Sequence, residues 1–459
     1  MGQSKRQLTG VVALVACLGV SGCMDMGSGG SAGSDRTGDT PTRMNFAGLF
    51  SGPKSQAAEP AAMSAEEAEK AREASESTII TELSARRTVL PQGSPYDEVA
   101  DSVLAANHRT AEAELRSARL RAAAAQKNWL PQIGPSISLT SLGDFVTTLF
   151  VEQVLFDNGR KKAEREFAKA DVEVAAVTLA QDTNDRVATA IALYLNAARN
   201  REIGARHQIS LKDMGQFEWV MEQRVQGGIS DMSDLNVLRQ KLAEIRSNLA
   251  AAEEGEQIAL AELNAMSIAP LMETRGVTDF GVNATDARPL DVILAQAEMH
   301  RELAQAKIDR ADNLPGLKAT GSVSNNGSDA AITAGGSTMF GLNTPDTLKA
   351  IAADKEVAER KVAQAQEKSN RELSRLDSQL TALSRQVVEA TQLTQQAKAN
   401  LDLFQSQYEA GQRQVMDVVG VYETYARRQQ AQVDLKYDMA KARLEMARLL
   451  GLLADGSAI

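Results

Sequence analysis

The thiol of Cys23 is the nucleophile of this 459-residue chain whose neighbours point to a definite chemistry. It closes the run Val20-Ser21-Gly22-Cys23, in which small residues ahead of a cysteine resemble a lipobox: a diacylglyceryl group is transferred to the sulfur and the chain is cut just before it. The only other cysteine, Cys17, lies in the segment that this cut would discard, so the mature chain could form no internal disulfide. The plainer alternative is an ordinary signal peptide followed by a chance cysteine. His108, His207 and His300 fall in helical segments with no ligand spacing and no cysteine beside them, so neither a metal site nor a catalytic base is expected. The glycines around Gly33-Ser34-Asp35 do not join a strand to a helix and form no phosphate-binding loop. No enzyme activity and no cofactor are therefore expected. Two carboxylates stand out by spacing instead, because Asp234 and Asp417 follow Gly228 and Gly411 by six residues each. At a helix start a carboxylate caps free N–H groups, which is the plain reading of both.

Lys5 and Arg6 precede an apolar run from Leu8 to Val20, long enough for a signal-peptide core and too short to span a bilayer. Residues 1–22 are expected to be a cleaved lipoprotein signal peptide. Met24, rather than Asp, follows the cysteine, which by the sorting rule of enteric bacteria sends the lipidated chain to the outer membrane. Several acyl chains on one cysteine would hold it there stably. Residues 23–93 read as a lipid-anchored flexible tether with a short helix. Gly, Ser, Asp and Pro dominate up to about Ala62, a charged helix-prone stretch runs from Ser64 to Arg87, and Pro91, Gly93 and Pro95 punctuate its end. A net charge of -10, with no basic patch to offset the repulsion from phosphates, argues against nucleic acid as a partner.

Beyond the tether the chain reads as two copies of one pattern. Residues 94–270 form the first: a helix from about Asp97 to Asn128, a β-hairpin over 132–156, a long helix over 159–226 and a helix over 230–266. A linker over 271–285 follows. Residues 286–452 form the second: a helix to about Asp312, a β-hairpin over 316–341, a long helix over 346–410 and a helix over 414–450, with a tail over 453–459. Pro131 and Pro315 mark the helix-to-strand turns, Phe156 and Phe340 the strand ends, and Gly228 and Gly411 the breaks after the long helices. Each pair is separated by about 184 residues, which makes an internal duplication. Helices of this length extend roughly 100 Å at 1.5 Å per residue. The two shorter helices of each repeat sum to about one long one, so they can stack end to end along it.

The helix faces are those of coiled coils. Leu373, Leu376, Leu380, Leu383, Val387, Ala390, Thr394, Ala397, Leu401, Phe404 and Tyr408 alternate spacings of three and four, as do Leu235, Leu238, Leu242, Ile245, Leu249 and Ala252. The β-segments alternate instead. Ile133, Ile137 and Leu139 oppose Gln132, Ser136, Ser138 and Thr140, while Leu317, Ala319 and Val323 oppose Lys318, Thr320, Ser322 and Ser324. Strands of about 9 to 12 residues with one polar face suit a transmembrane barrel. Four strands cannot close one, and open sheet edges are not tolerated in lipid, so several copies would have to combine.

The run Glu152-Gln153-Val154-Leu155-Phe156-Asp157-Asn158-Gly159-Arg160, opening a long helix directly after a strand, resembles the hallmark of the TolC-like outer-membrane factors. That family also carries a Gly and, six residues later, an Asp at both periplasmic turns, and the resemblance extends from about Asp97 to Leu450. It implies a mainly α fold with a transmembrane β portion: a homotrimer whose twelve-stranded β-barrel, four strands per protomer, continues as a twelve-helix α-barrel. It further implies a passive duct for efflux or type I secretion, lipid-anchored in the bacterial outer membrane. Its partners would be a periplasmic adaptor protein and an inner-membrane transporter of RND or ABC type. By position, Tyr408 and Arg413 would meet Ser233 and Asp234 in a periplasmic gate, and Asp417 would ring the constriction. The pattern departs at two places: Ser233 replaces Thr, and Gly420 stands where the family example has a second inward Asp, which weakens the expected block of cations. The rival reading is a periplasm-spanning coiled-coil lipoprotein without a pore, which would need no β-segments.

Overall fold

The computed structural model describes residues 77–106, 110–139, 145–271, 273–324, 327–335, 341 and 343–456. The chain divides after Ala62, and the described residues all belong to the unit that follows. Cys23, the signal segment, most of the tether, His108, Thr140, Phe340 and the last three residues lie outside them.

Eight helices and four strands make up this unit among the described residues. Helix α1 (Thr78–Ser84) and helix α2 (Pro95–Ala105) precede α3 (Thr110–Gln126), strand β1 (Gln132–Leu139) and strand β2 (Phe145–Phe156). Helix α4 (Arg160–Gln226) and α5 (Met232–Met266) complete the first repeat. Helix α6 (Leu290–Asp312), strands β3 (Gly316–Ser324) and β4 (Gly327–Gly335), α7 (Thr344–Glu409) and α8 (Val415–Leu450) form the second. At the expected Asp97–Asn128 helix the structure has two helices, α2 and α3. The first begins where Ser94 Oγ accepts the Asp97 N–H at 3.3 Å and Pro95 takes the first helical position, whose N–H would be unsatisfied anyway. The expected start near Asp286 moves to Leu290. Pro289 is the N-cap there, and Asp286 instead accepts the Asn283 N–H at 2.8 Å in the turn before.

Long α4 is packed along its whole length. Against its first half lie α3 and α6, and against its second half α5 and α8. Ala163, Ala168, Ala170, Ala176, Ala180, Ala188, Ala190, Ala197 and Ala198 are all buried on it, small residues that let neighbouring helix axes come close. Long α7 has a single seam. It runs Ile351, Lys355, Ala358, Val362, Ala365, Ser369, Leu373, Leu376, Leu380 and Leu383, and on to Tyr408, with the positions between mostly exposed. Its three-four alternation carries one extra step of four between Ser369 and Leu373. Such a stutter locally unwinds a coiled coil. It falls where the partner changes from α6, through Lys368 and Asp291 at 3.6 Å, to α8, through the cluster of Leu373, Leu376, Met446 and Leu450.

The turns close as the sequence chemistry requires. After α4, Gly228 sits at φ +69° while the Ile229 N–H reaches the Arg224 carbonyl at 2.8 Å. After α7, Gly411 sits at φ +74° while the Gln412 N–H reaches the Gln407 carbonyl at 2.8 Å. Each is a helix stop that only glycine adopts without strain.

Residues 77–93, read as the end of a flexible tether, are docked instead. Ile79, Ile80 and Leu83 of α1 join a buried cluster with Leu115 and Ala118 of α3, Val172 and Val177 of α4, and Leu290 and Ile293 of α6. Buried Arg86 donates to the Leu450 carbonyl at 2.5 Å and the Arg288 carbonyl at 2.8 Å, tying this strap to the end of α8 and to the residues just before α6. Its apolar residues are too few to show as a periodic pattern, and they are buried only because three helices of both repeats converge beneath them.

Candidate functional site

The two β-hairpins form one sheet. Its order is β1-β2-β3-β4, antiparallel throughout, because β2 of the first repeat pairs with β3 of the second. The register aligns Ile133 with Val151, Val151 with Gly321, and Gly321 with Ala330. One face therefore carries Ile133, Pro135, Ile137, Leu149, Val151, Leu317, Ala319, Val323, Ala330, Ile332 and Ala334, interrupted by Thr147, Gln153 and Ser328. The other carries Gln132, Ser136, Thr148, Glu152, Lys318, Thr320, Ser322, Ser324, Asp329 and Thr333, with Val146, Phe150, Val154 and Ala331 among them, so it is the more polar of the two. Among the latter, Lys318 and Glu152 form an ion pair at 2.9 Å. The apolar face is uncovered, with Ile137 72% and Ile332 73% exposed. Beside the polar face a cavity of about 390 Å³ opens at the junction with the helices, lined by Gln132, Glu152, Lys318, Thr333, Arg160 and Asp312 among others. Among the described residues both sheet edges, β1 and β4, are unpaired.

The motif at the end of β2 builds the strand-to-helix corner. Asp157 accepts the N–H groups of Gly159 at 3.0 Å and Lys161 at 2.7 Å, so its carboxylate caps α4 from outside. Asn158 and Gly159 take positive φ, +54° and +86°. That turn lets the Asn158 amide donate to the Pro315 carbonyl at 2.8 Å. Arg160 pairs with Asp312 at 3.0 Å, at the end of α6. The corner of one repeat is thus bolted to the Pro315 corner of the other, while Pro131 precedes β1 at the equivalent place.

At the far end Arg413, Asp417 and Tyr408 have partners of their own within the chain. Arg413 is exposed; it donates to Gln407 Oε1 at 3.1 Å and lies over the Phe404 ring, 4.5 Å from its centroid. Asp417 is held in a capping box, accepting the Gln414 N–H at 3.3 Å. Ser233 and Asp234 lie in the first turn of α5, where Asp231 is the N-cap and makes no side-chain cap bond. Tyr408 packs against the apolar cluster at this end. Among the described residues no hydrogen bond or ion pair joins Arg413 to Asp234.

Contacts that spacing alone did not reveal lie further up the helices. The Tyr422 hydroxyl donates to Asp213 Oδ2 at 2.9 Å and lies 3.3 Å from Ser210 Oγ. Burial pushes the Tyr422 phenol well above its ordinary pKa, so it remains a donor. Lys241 of α5 is ion-paired with Glu423 of α8. Of the histidines, His207 is lowered in pKa by burial, while His300 bonds Glu173 Oε2 at 2.8 Å and is raised by that carboxylate. Among the described residues no group of three or more His, Cys, Asp or Glu side chains is placed to hold a metal ion. No described helix is long and apolar enough to cross a membrane.

No protein-family model and no curated protein sequence matches the chain. Solved structures do. A membrane protein from Pseudomonas aeruginosa superposes with a TM-score of 0.69 at 15% identity, covering 82% of this chain and 93% of that one. The outer membrane protein VceC from Vibrio cholerae does so with a TM-score of 0.63 at 17% identity, covering 78% and 96%. The Neisseria gonorrhoeae MtrE outer membrane channel, in its open state, gives 0.64 at 15%, covering 79% and 90%. The chain therefore has the fold of the TolC-like outer-membrane channels.

Proposed function

We propose that this chain is one protomer of a trimeric outer-membrane duct, a TolC-like factor that carries substrate passively outward in efflux or type I secretion. The observation that carries the reading is the sheet with one mainly apolar face, one more polar face and, among the described residues, two open edges. In lipid each unsatisfied backbone group costs several kcal/mol, so such a sheet is tolerable only when its edges are closed by other copies. Three copies supply twelve strands around an aqueous bore, with the Lys318–Glu152 side inward. The helices support the same closure. Val388 and Leu403 on α7 lie away from its seam and are 57% and 53% exposed, and Val237 and Ile258 on α5 lie away from theirs. These are the two outer edges of the protomer, and each fits the next copy.

On this reading the turns at Gly228 and Gly411 point into the periplasm, toward an adaptor protein and an RND or ABC transporter of the inner membrane that supplies the energy. Ser233, Asp234, Tyr408, Arg413 and Asp417 then gate the periplasmic mouth between copies, since within one copy Arg413 is occupied by Gln407 and Phe404. Cys23 anchors the duct by acylation, and labelling with a palmitate analogue should vanish in Cys23→Ala. Function is tested by cross-linking the purified mature protein in detergent and recording its current in planar bilayers. Trimers that conduct are expected; a monomer that carries no ions would overturn the proposal.

A further inference from the structure

The four strands hold three charged side chains, Glu152, Lys318 and Asp329, and the register puts all three on the more polar face. Glu152 and Lys318 are paired with each other at 2.9 Å. Asp329 is exposed and makes no ion pair among the described residues. One row across this face runs Gly134, Phe150, Ser322 and Asp329, one residue from each strand in turn. A single exposed apolar residue is ordinary on a protein surface. Phe150 is set apart by its setting: it is 49% exposed, Thr148 and Glu152 flank it along its own strand, and the diagonal positions on β1 and β3 are polar as well. No apolar side chain therefore adjoins the ring on that face. Over Gly134 the space is open, with nothing within 4 Å of where a Cβ would stand.

We propose that Phe150, Ser322 and Asp329 form a subsite inside the barrel, one in each protomer, for organic cations with a flat aromatic body. It rests on the duct reading, since only a closed barrel turns this face into a bore. Two strand spacings, roughly 10 Å, separate the Phe150 and Asp329 backbones, and the inner face of a barrel is concave, so their side chains lean toward each other. An aromatic body stacks on the Phe150 ring while its positive charge is held between the ring and the Asp329 carboxylate. The Ser322 hydroxyl lies between the two and offers a hydrogen bond. Glu152 does not compete for the cation, because Lys318 already neutralises it. Open to water and shallow, the site holds its occupant briefly and lets it pass, as conduction requires.

The test titrates ethidium, a flat aromatic monocation, into the full mature trimer in a non-ionic detergent and reads the rise in its fluorescence. Wild-type protein should give a saturable rise. Phe150→Ala should weaken binding about ten-fold. Phe150→Leu, which keeps apolar area without the aromatic face, should weaken it nearly as much, whereas Phe150→Tyr should stay within about two-fold of wild type, a rescue that mere apolar contact does not predict. Asp329→Asn should weaken binding about two- to five-fold at low salt and leave it unchanged at about 1 M salt, where exposed charges are screened. Cross-linking and planar-bilayer current on the same preparations establish that each variant is an assembled duct. If conducting wild-type trimers show no saturable rise, or if Phe150→Ala and Asp329→Asn bind as wild type does, the subsite is wrong while the duct stands. If the wild type is a monomer that passes no current, both readings fall.

Discussion

The long helices α4 and α7 are 67 and 66 residues long and occupy equivalent places in the two repeats, yet they bury very different surfaces. Helix α4 buries 23 residues, helix α7 only seven, so duplication has produced one central and one peripheral helix from the same plan. The cause is the company each keeps: α4 has neighbours on both flanks along its length, whereas α7 has one, α6 above and α8 below. In the proposed trimer the second flank of α7 is therefore the side left for the next copy. A repeat protein with identical environments would show identical burial, and the inequality here is what a closed ring of three copies would erase.

The sharpest way to break that comparison is to put the same charge on both helices. Ile191 of α4 is fully buried, and Ile191→Asp should cost about 4 kcal/mol or more by stranding a carboxylate in the core. Loss of cooperative thermal unfolding by circular dichroism is expected. Val388→Asp with Leu403→Asp on α7 should change the stability of the single chain by less than about 0.5 kcal/mol at each site. The same double variant should abolish the cross-linked trimer, because a ring needs that flank apolar. If the trimer survives it, α7 is peripheral for some other reason.

Much of this asymmetry is hidden in the sequence, for a physical reason. The lower seam of α7, from Leu373 onward, is written in leucines and shows at once. Its upper seam is Ile351, Lys355, Ala358, Val362, Ala365 and Ser369, too small and mixed to stand out, and it becomes a seam only because α6 lies against it. The Pro, Gly and aromatic landmarks make the repeats legible and with them the fold class, because those residues act locally. The pairing of β2 with β3 is not legible, since alternation assigns faces within a strand and says nothing of neighbours. Cys23 can be read from the sequence alone and lies outside the described residues. The positions of Gly228, Gly411, Asp234 and Asp417 at the turns can be read as well. What escapes is the bonding of Tyr422, Lys241 and Arg86, each of which spans more than 180 residues of chain, as from Lys241 to Glu423.

The turns sharpen the comparison at smaller magnitude. Asp417 accepts a backbone N–H in a capping box at the head of α8, whereas Asp234 occupies the same position of α5 without such a bond. Asp417→Ala should lower stability by about 1 kcal/mol, and Asp234→Ala by close to nothing. Urea titration of the two variants decides it. Equal losses would mean that the duplicated carboxylates still serve one structural role, which would leave less room for a separate role of Asp234 at the mouth.

The smallest effect concerns the junction of the repeats, where His300 of α6 meets Glu173 of α4, and Glu173 also accepts the Ser77 hydroxyl at 2.6 Å at the start of α1. The Glu173 carboxylate raises the His300 pKa above the ordinary 6.5, against the opposing effect of burial. A group whose pKa is higher in the folded chain binds its proton more tightly there, so the pairing stabilises fully below about pH 6.5 and is lost as pH rises through the folded value. The melting temperature should therefore fall slightly across that interval, and His300→Asn should remove that component of the slope. Because Glu173 holds the strap through Ser77, hydrogen exchange of the α1 amides should quicken over the same interval in the wild type only. A slope unchanged by His300→Asn would place the pH response elsewhere and leave α1 held chiefly by Ile79, Ile80 and Leu83.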